Sequence, residues 1–200
     1  PELQRAPGVL LYDIESDPDD RHDFLHGFLR LPRGTSGQWD LDAATYHPIL
    51  ALLDHGESRC WERLRRPLGR YEGWPILHYG ETETLALRRL AERQGVSEAE
   101  RKLLSLRLVD VHARVRQHWR LPLSSYGLKS VAAWQGFRWS QQGADGARAL
   151  LWWRQWQGEG PQRRGSRHGL RWIFDYNRDD CRATWAVAWW LLTADQSSQP

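Results

Sequence analysis

The run Val9-Leu10-Leu11-Tyr12-Asp13-Ile14-Glu15 constrains the fold more than any other stretch of this chain. It follows Pro7-Gly8, is mostly apolar, and has a length that suits a buried strand better than a helix. On a strand, side chains two apart share a face, so Asp13 and Glu15 stand side by side. Two carboxylates at the end of a core strand repel each other unless a proton or a cation lies between them. A metal ion is the simplest remedy. The alternative is that Glu15 opens a solvated loop, because Ser16, Asp17, Asp19 and Asp20 follow it.

Residues 170–192 are the second informative stretch. Read as a helix, they carry Ile173, Tyr176, Asp180, Thr184, Val187 and Leu191 along one face, at three- and four-residue steps. A carboxylate thus sits in the middle of a buried stripe, with Tyr176 one turn before it. An ionised Asp in a core position is costly unless it is paired or binds metal. An Arg from another element is the alternative partner. Asp179, next in the chain, points elsewhere.

The segments between read as a mixture of strands and helices. Residues 23–31 form a second strand, 32–37 a turn and 38–41 a short third strand, so that the fold opens as a meander. Residues 46–53 fit either strand or helix. Residues 57–68 have helical periodicity and are expected to stop near Pro67 and Gly69. Residues 74–79 are the next core strand; Gly80 permits a tight turn, and 81–94 follow as an amphipathic helix. Glu83 lies in its first turn, where the helix dipole favours an acidic residue whatever else it does. Ser97-x-x-Glu100 is a capping box that starts another helix. Residues 106–111 are strand-like and contain Asp110, and a helix runs on through Trp119. Further helices are expected up to Trp134 and over 147–156, with 158–169 as a surface loop.

Composition narrows the classes. Two hundred residues suffice for one domain with its own core. Cys60 and Cys181 are too few for a disulfide framework and form no metal-type cluster, which favours a reducing cytoplasm. No apolar run of about 18 residues and no basic-then-apolar leader occurs, so neither a membrane span nor a signal peptide is expected. The absence of Met, an initiator included, suggests a piece of a longer protein. A formal charge of +3 does not by itself announce a nucleic-acid binder. The basic residues, however, are nearly all Arg and clustered, at Arg63, Arg65, Arg66 and Arg70 and again at Arg163, Arg164, Arg167 and Arg171. Guanidinium forks suit phosphates, although an Arg-biased composition with solvated faces would look the same. The 13 Trp residues belong mostly to the core, with stacking on unpaired bases as their alternative use.

In order, these features resemble the ribonuclease-H-like exonucleases of the DEDD type, in the variant with tyrosine in the third motif. The first motif is Asp13-Ile14-Glu15 and the last is Tyr176-Asn177-Arg178-Asp179-Asp180. The middle motif, usually an Asp preceded by an aromatic residue, is here His78-Tyr79-Gly80-Glu81-Thr82-Glu83, with Glu83 in the acidic position. The closer likeness is to the ribonuclease-H-like domain at the C-terminus of predicted RecB-family nucleases. Those show a His-Tyr run followed by Glu, a Val-Asp segment (Val109-Asp110), a Ser-Tyr-x-Leu-Lys segment (Ser125 to Lys129) and a final Tyr-Asn-x-x-Asp-Cys run (Tyr176 to Cys181). The likeness extends from Val9 to Leu192.

The resemblance implies an α/β fold: a ribonuclease-H-like mixed sheet of five strands with helices on both faces. It implies one domain over residues 1–200, which in a full-length protein would accompany an upstream RecB-like nuclease domain. Asp13, Glu15, Glu83 and Asp180 would converge at one edge and hold two divalent cations, Mg²⁺ or Mn²⁺ rather than zinc, as hard oxygen ligands favour. Tyr176 would orient the attacking water through its hydroxyl, an ordinary phenol pKa of about 10 making it a poor base. The implied reaction is 3′-to-5′ hydrolysis of DNA or RNA from a single-stranded end. Lys129 is either a phosphate contact or an ordinary surface residue, and Arg163 and Arg164 are further candidates for holding the nucleic acid. Asp110 reads first as a cap of the following helix and second as an accessory ligand; Asp179 is another accessory candidate. His78 reads first as a satisfied core histidine and second as a neighbour of the site. Glu83 in place of Asp motivates a second hypothesis, a module that has lost catalysis and clamps nucleic acid for a larger nuclease or helicase. A misplacement near 1 Å costs on the order of a hundredfold in rate. A transposase or resolvase core is a third, disfavoured by the tyrosine four residues before Asp180.

Overall fold

The structure, a computed structural model, describes residues 2–52, 56–159 and 166–197. Strands β1 (Gly8–Asp17), β2 (His22–Pro32) and β3 (Thr45–Leu50) come first, followed by α1 (Gly56–Arg70), β4 (Ile76–His78), α2 (Glu81–Arg93), α3 (Glu98–Arg107) and β5 (Leu108–Asp110). Four helices complete the chain: α4 (Val111–His118), α5 (Leu128–Trp134), α6 (Gly146–Glu159) and α7 (Ser166–Ser197). The sheet order is β3-β2-β1-β4-β5, antiparallel from β3 to β1 and parallel from β1 to β5. This is the expected mixed five-stranded sheet.

β1 occupies the centre because it is apolar on both sides, as a strand covered on both faces must be. Its odd-numbered residues Val9 and Leu11 pack with Val111 and Val115 of α4, Val131 of α5 and Val187 of α7. Its even-numbered residues Leu10, Tyr12 and Ile14 pack with Trp61 and Leu64 of α1 and Leu87 and Leu90 of α2. Helices therefore cover both faces, and the two-residue period carries Asp13 and Glu15 onto the α7 side. A third core, with Phe24 of β2, Trp153 of α6 and Ile173 of α7, closes that side.

β1 does not give way to a loop at Glu15. It pairs with β2 as far as Asp17, with a bulge between Glu15 and Ser16. Arg154 of α6 then clamps buried Asp17 with a two-pronged guanidinium contact at 2.7 and 2.9 Å. β4 and β5 end at His78 and Asp110, which pair with each other. The acidic pair thus lies by the C-terminal ends of the parallel strands, where open α/β sheets bind ligands.

Two elements depart from the sequence reading, and α1, which ends close to its expected stop, carries Pro67 inside it. Residues 38–41 make only an isolated bridge, Arg33 to Trp39, and the third strand is Thr45–Leu50 instead. Pro67 does not stop α1, which runs on to Arg70; continuing the helix buries Leu68 beside Leu64 and Trp61, which outweighs the missing backbone donor. α7 begins at Ser166, four residues before the expected start. Among the described residues no helix is long and apolar enough to cross a membrane.

Candidate active site

Asp13, Glu15 and Asp180 meet between β1 and α7. Each offers a carboxylate oxygen within 4.8 Å of the other two. β1 delivers the first two by strand alternation, and α7 delivers the third from the buried stripe that also holds Ile173, Tyr176, Thr184 and Val187. Glu15 is 6% exposed and Asp180 7%, so water does little to separate their charges. Burial, followed by neighbouring carboxylates, pushes Asp13 and Glu15 well above the usual range. Burial pushes Asp180 up to about 6, against the pull of hydrogen bonds from Trp139 and Tyr176 and the charge of Lys129. Burial and these same carboxylates raise the Tyr176 phenol far above its ordinary value. It stays protonated and hydrogen-bonds Asp180, and it is not a base.

Glu83 does not join the trio. It lies buried in the first turn of α2, its Oε2 without a hydrogen-bond partner among the described residues. Burial raises its carboxyl to about 7, with Asp110 and Asp180 adding to the effect. It is near enough to oppose the charge of the cluster, and four-way convergence becomes three plus one.

The remaining sequence candidates separate clearly. Asp110 caps α4, its Oδ1 accepting from the backbone N–H of Ala113 and of Gly80, each at 3.1 Å. His78 is buried: its Nδ1 donates to the Gly80 carbonyl at 2.7 Å, so its Nε2 accepts from the Thr84 hydroxyl at 3.0 Å. Burial lowers its pKa, consistent with that neutral tautomer. Asp179 faces away from the trio and accepts from the Ser140 backbone and hydroxyl at 2.7 and 2.6 Å. Lys129 turns inward: its ammonium donates to the Ala144 carbonyl and lies 4.9 Å from the Tyr176 ring centroid. Arg163 and Arg164 lie outside the described residues. Arg63, Arg65, Arg66 and Arg70 ride on α1, on the other face of the sheet.

Two side chains that the sequence did not single out position the cluster. Asn177 donates its amide to Asp13 Oδ2 at 2.6 Å and Glu15 Oε1 at 3.3 Å. Its own oxygen accepts from the Tyr46 hydroxyl at 2.7 Å, which fixes which end of the amide faces the acids. Gly27, opposite Asp13 across the sheet, makes room: a Cβ there would collide with that Asn177 oxygen. Trp139, in the α5–α6 connection, donates its indole N–H to Asp180 Oδ1 at 2.6 Å.

The cluster opens onto a cleft of about 820 Å³ that Asp13, Asp180 and Tyr176 line together with Asp110 and Lys129. The donor set fits a hard divalent cation. Three oxygen ligands converge, burial and mutual repulsion disfavour their ionised forms unless a cation lies between them, and a fourth buried acceptor beside them has no hydrogen-bond partner among the described residues. A family model of the RNase H superfamily, RNase_H_2, matches residues 10–192. No curated protein and no solved structure matches the chain.

Proposed function

The chain belongs to the RNase H superfamily, and from that membership together with its acidic cluster we propose a metal-dependent nuclease that hydrolyses phosphodiester bonds. The observation that carries the reading is the meeting of Asp13, Glu15 and Asp180 within 4.8 Å at the cleft. Two divalent cations, Mg²⁺ or Mn²⁺, held there with Glu83 at the margin, would supply the Lewis acidity that activates water and steadies the leaving oxygen. The chain's own residues prepare the site. Asn177 keeps Asp13 and Glu15 apart and aimed, while Trp139 and Tyr176 hold Asp180. Tyr176, a phenol throughout, orients the attacking water as a hydrogen-bonding group. Lys129 brings a positive charge to the cleft, where the scissile phosphate would lie.

The finer assignment is a DEDD-type exonuclease of the tyrosine variety, removing nucleotides 3′-to-5′ from a single-stranded DNA or RNA end. Its support is Tyr176, one helical turn before Asp180 and hydrogen-bonded to it. The likeness to the C-terminal domain of RecB-family nucleases draws support from Asp110 and from Ser125, Gly127, Leu128 and Lys129, which border the same cleft. A second reading, a nucleic-acid clamp without catalysis, is favoured by the separation of Glu83 from the trio.

One assay divides the two. End-labelled single-stranded DNA and RNA are incubated with Mn²⁺ and the wild-type chain, Asp13→Ala or Asp180→Ala. The nuclease reading expects progressive shortening by wild type and at least a hundredfold loss in each variant, as expected when a group that positions the reactants is removed. Binding by all three without cleavage leaves only the clamp. Cleavage of a circular strand would remove the exonuclease assignment.

A further inference from the structure

The cleft does not end at the carboxylates. Past α4 and the turn into α5 it continues into a depression of about 560 Å³ lined by His112, Arg116, Arg120, Ser125, Tyr126 and Gly127. His112, Arg116, Ser125 and Gly127 border both spaces, which are therefore one groove. Its ends differ in charge. Asp13, Glu81, Asp110 and Asp180 line the first, whereas no carboxylate lines the second. There Arg116 and Arg120 are exposed and make no ion pair among the described residues. Between the ends, the His112 ring packs 5.2 Å from that of Tyr79. The Tyr79 hydroxyl donates to the Tyr126 carbonyl at 2.7 Å, which fixes this aromatic step.

Building on the nuclease reading above, we propose that this groove is the track for the uncleaved part of a single nucleic-acid strand. Arg116 and Arg120 hold backbone phosphates, and the His112 ring is a stacking surface for a base. The acidic end repels phosphate by itself, so affinity for a polyanion has to come from elsewhere. Guanidinium forks at the end of the groove that no carboxylate lines, without an ion pair among the described residues, supply it, with no need for a cation. An aromatic step beside a cationic wall is the arrangement that takes unpaired bases without reading their sequence.

The test is fluorescence anisotropy of labelled oligo-dT and oligo-U, each in a short and a long form, in EDTA so that nothing is cut. The long strands should bind more tightly than the short ones. Arg116→Ala/Arg120→Ala should weaken the long strands on the order of tenfold. It should also flatten the slope of log K against log salt by about 0.7 per arginine, between about 50 and 200 mM. Arg65→Ala/Arg66→Ala, on the far face of the sheet, should change neither. Equal losses in the two double variants, or unchanged binding by Arg116→Ala/Arg120→Ala, would overturn the track. Duplex bound as tightly as single strand, with the same arginine dependence, would overturn its single-strand character. Cleavage with Mn²⁺ is read separately: groove-dependent binding by a chain that cuts nothing upholds the track while removing the nuclease.

Discussion

Trp139 does for Asp180 what Asn177 does for Asp13 and Glu15: each gives a carboxylate of the cluster a donor from the protein itself. A hydrogen bond to a charged group is worth roughly 1.5–3 kcal/mol, and its loss inside a protein leaves the acceptor unsatisfied. Trp139→Phe keeps most of the ring and deletes only the N–H. Asp180, already pushed up to about 6, should then hold its proton more tightly. The rising limb of the pH–rate profile with Mn²⁺ should move to higher pH, with activity near neutrality falling about tenfold; an unshifted limb would mean that the indole only fills space. Asp13, Glu15 and Asp180 were legible in the sequence because a carboxylate inside an apolar pattern is an anomaly that the period itself exposes. Asn177 and Trp139 were not. Asn177 stands within the last motif, but nothing in the motif says that its amide crosses to β1. Trp139 precedes Asp180 by 41 residues, in a connection without periodicity, and its ring direction exists only once α5 and α7 have packed.

At the scale of elements, legibility followed burial. β1 and α7 announce themselves because each buries a regular set of side chains. β3 does not: it is an edge strand, half exposed, and Pro48 within it removes a backbone donor that only an edge tolerates. Residues 38–41 have strand-like composition, yet Gln38 and Asp40 are exposed and only Trp39 bridges. α1 ends one residue past Gly69, close to its expected stop, yet Pro67 lies inside it. Pro67 looks like a stop, but Leu64 and Leu68, one turn apart and both buried, reward a helix that continues past it. Proline costs a helix interior about 3 kcal/mol, from the lost N–H and the clash with the carbonyl one turn back. Pro67→Ala should therefore stabilise the protein by roughly 1–3 kcal/mol, part of the gain being offset by greater freedom in the unfolded chain. Urea unfolding would show a higher midpoint at unchanged slope. A lower midpoint would mean that α1 is better served by the fixed proline than by alanine.

Over the whole molecule, the active site and the core pull stability in opposite directions as pH changes. The cluster carboxyls have folded pKa values above their ordinary ones, with Asp180 near 6 and Glu83 near 7. Their stabilising contribution is complete at low pH and is lost as pH rises through those values. His26, buried against Tyr12 with its Nδ1 accepting from that hydroxyl at 2.8 Å, is lowered by burial to about 4. Its contribution is complete above the ordinary value of 6.5 and is lost as pH falls toward 4. Without divalent cations the four carboxyls outnumber His26, so between about pH 4 and 7 their trend prevails and the melting temperature should fall as pH rises. Mg²⁺ or Mn²⁺ replaces the missing protons. It should raise the melting temperature near pH 8 by the equivalent of roughly 1–3 kcal/mol and do nothing near pH 4.5, where the carboxyls already carry protons. Asp13→Asn removes one of the repelling charges, so it should melt higher than wild type in EDTA at neutral pH and gain nothing from the cation. This follows from a site whose stability is set aside for ligand binding. A cation effect of equal size at both pH values, or an Asp13→Asn protein less stable than wild type in EDTA, would show that the acids are balanced within the fold and need no ion.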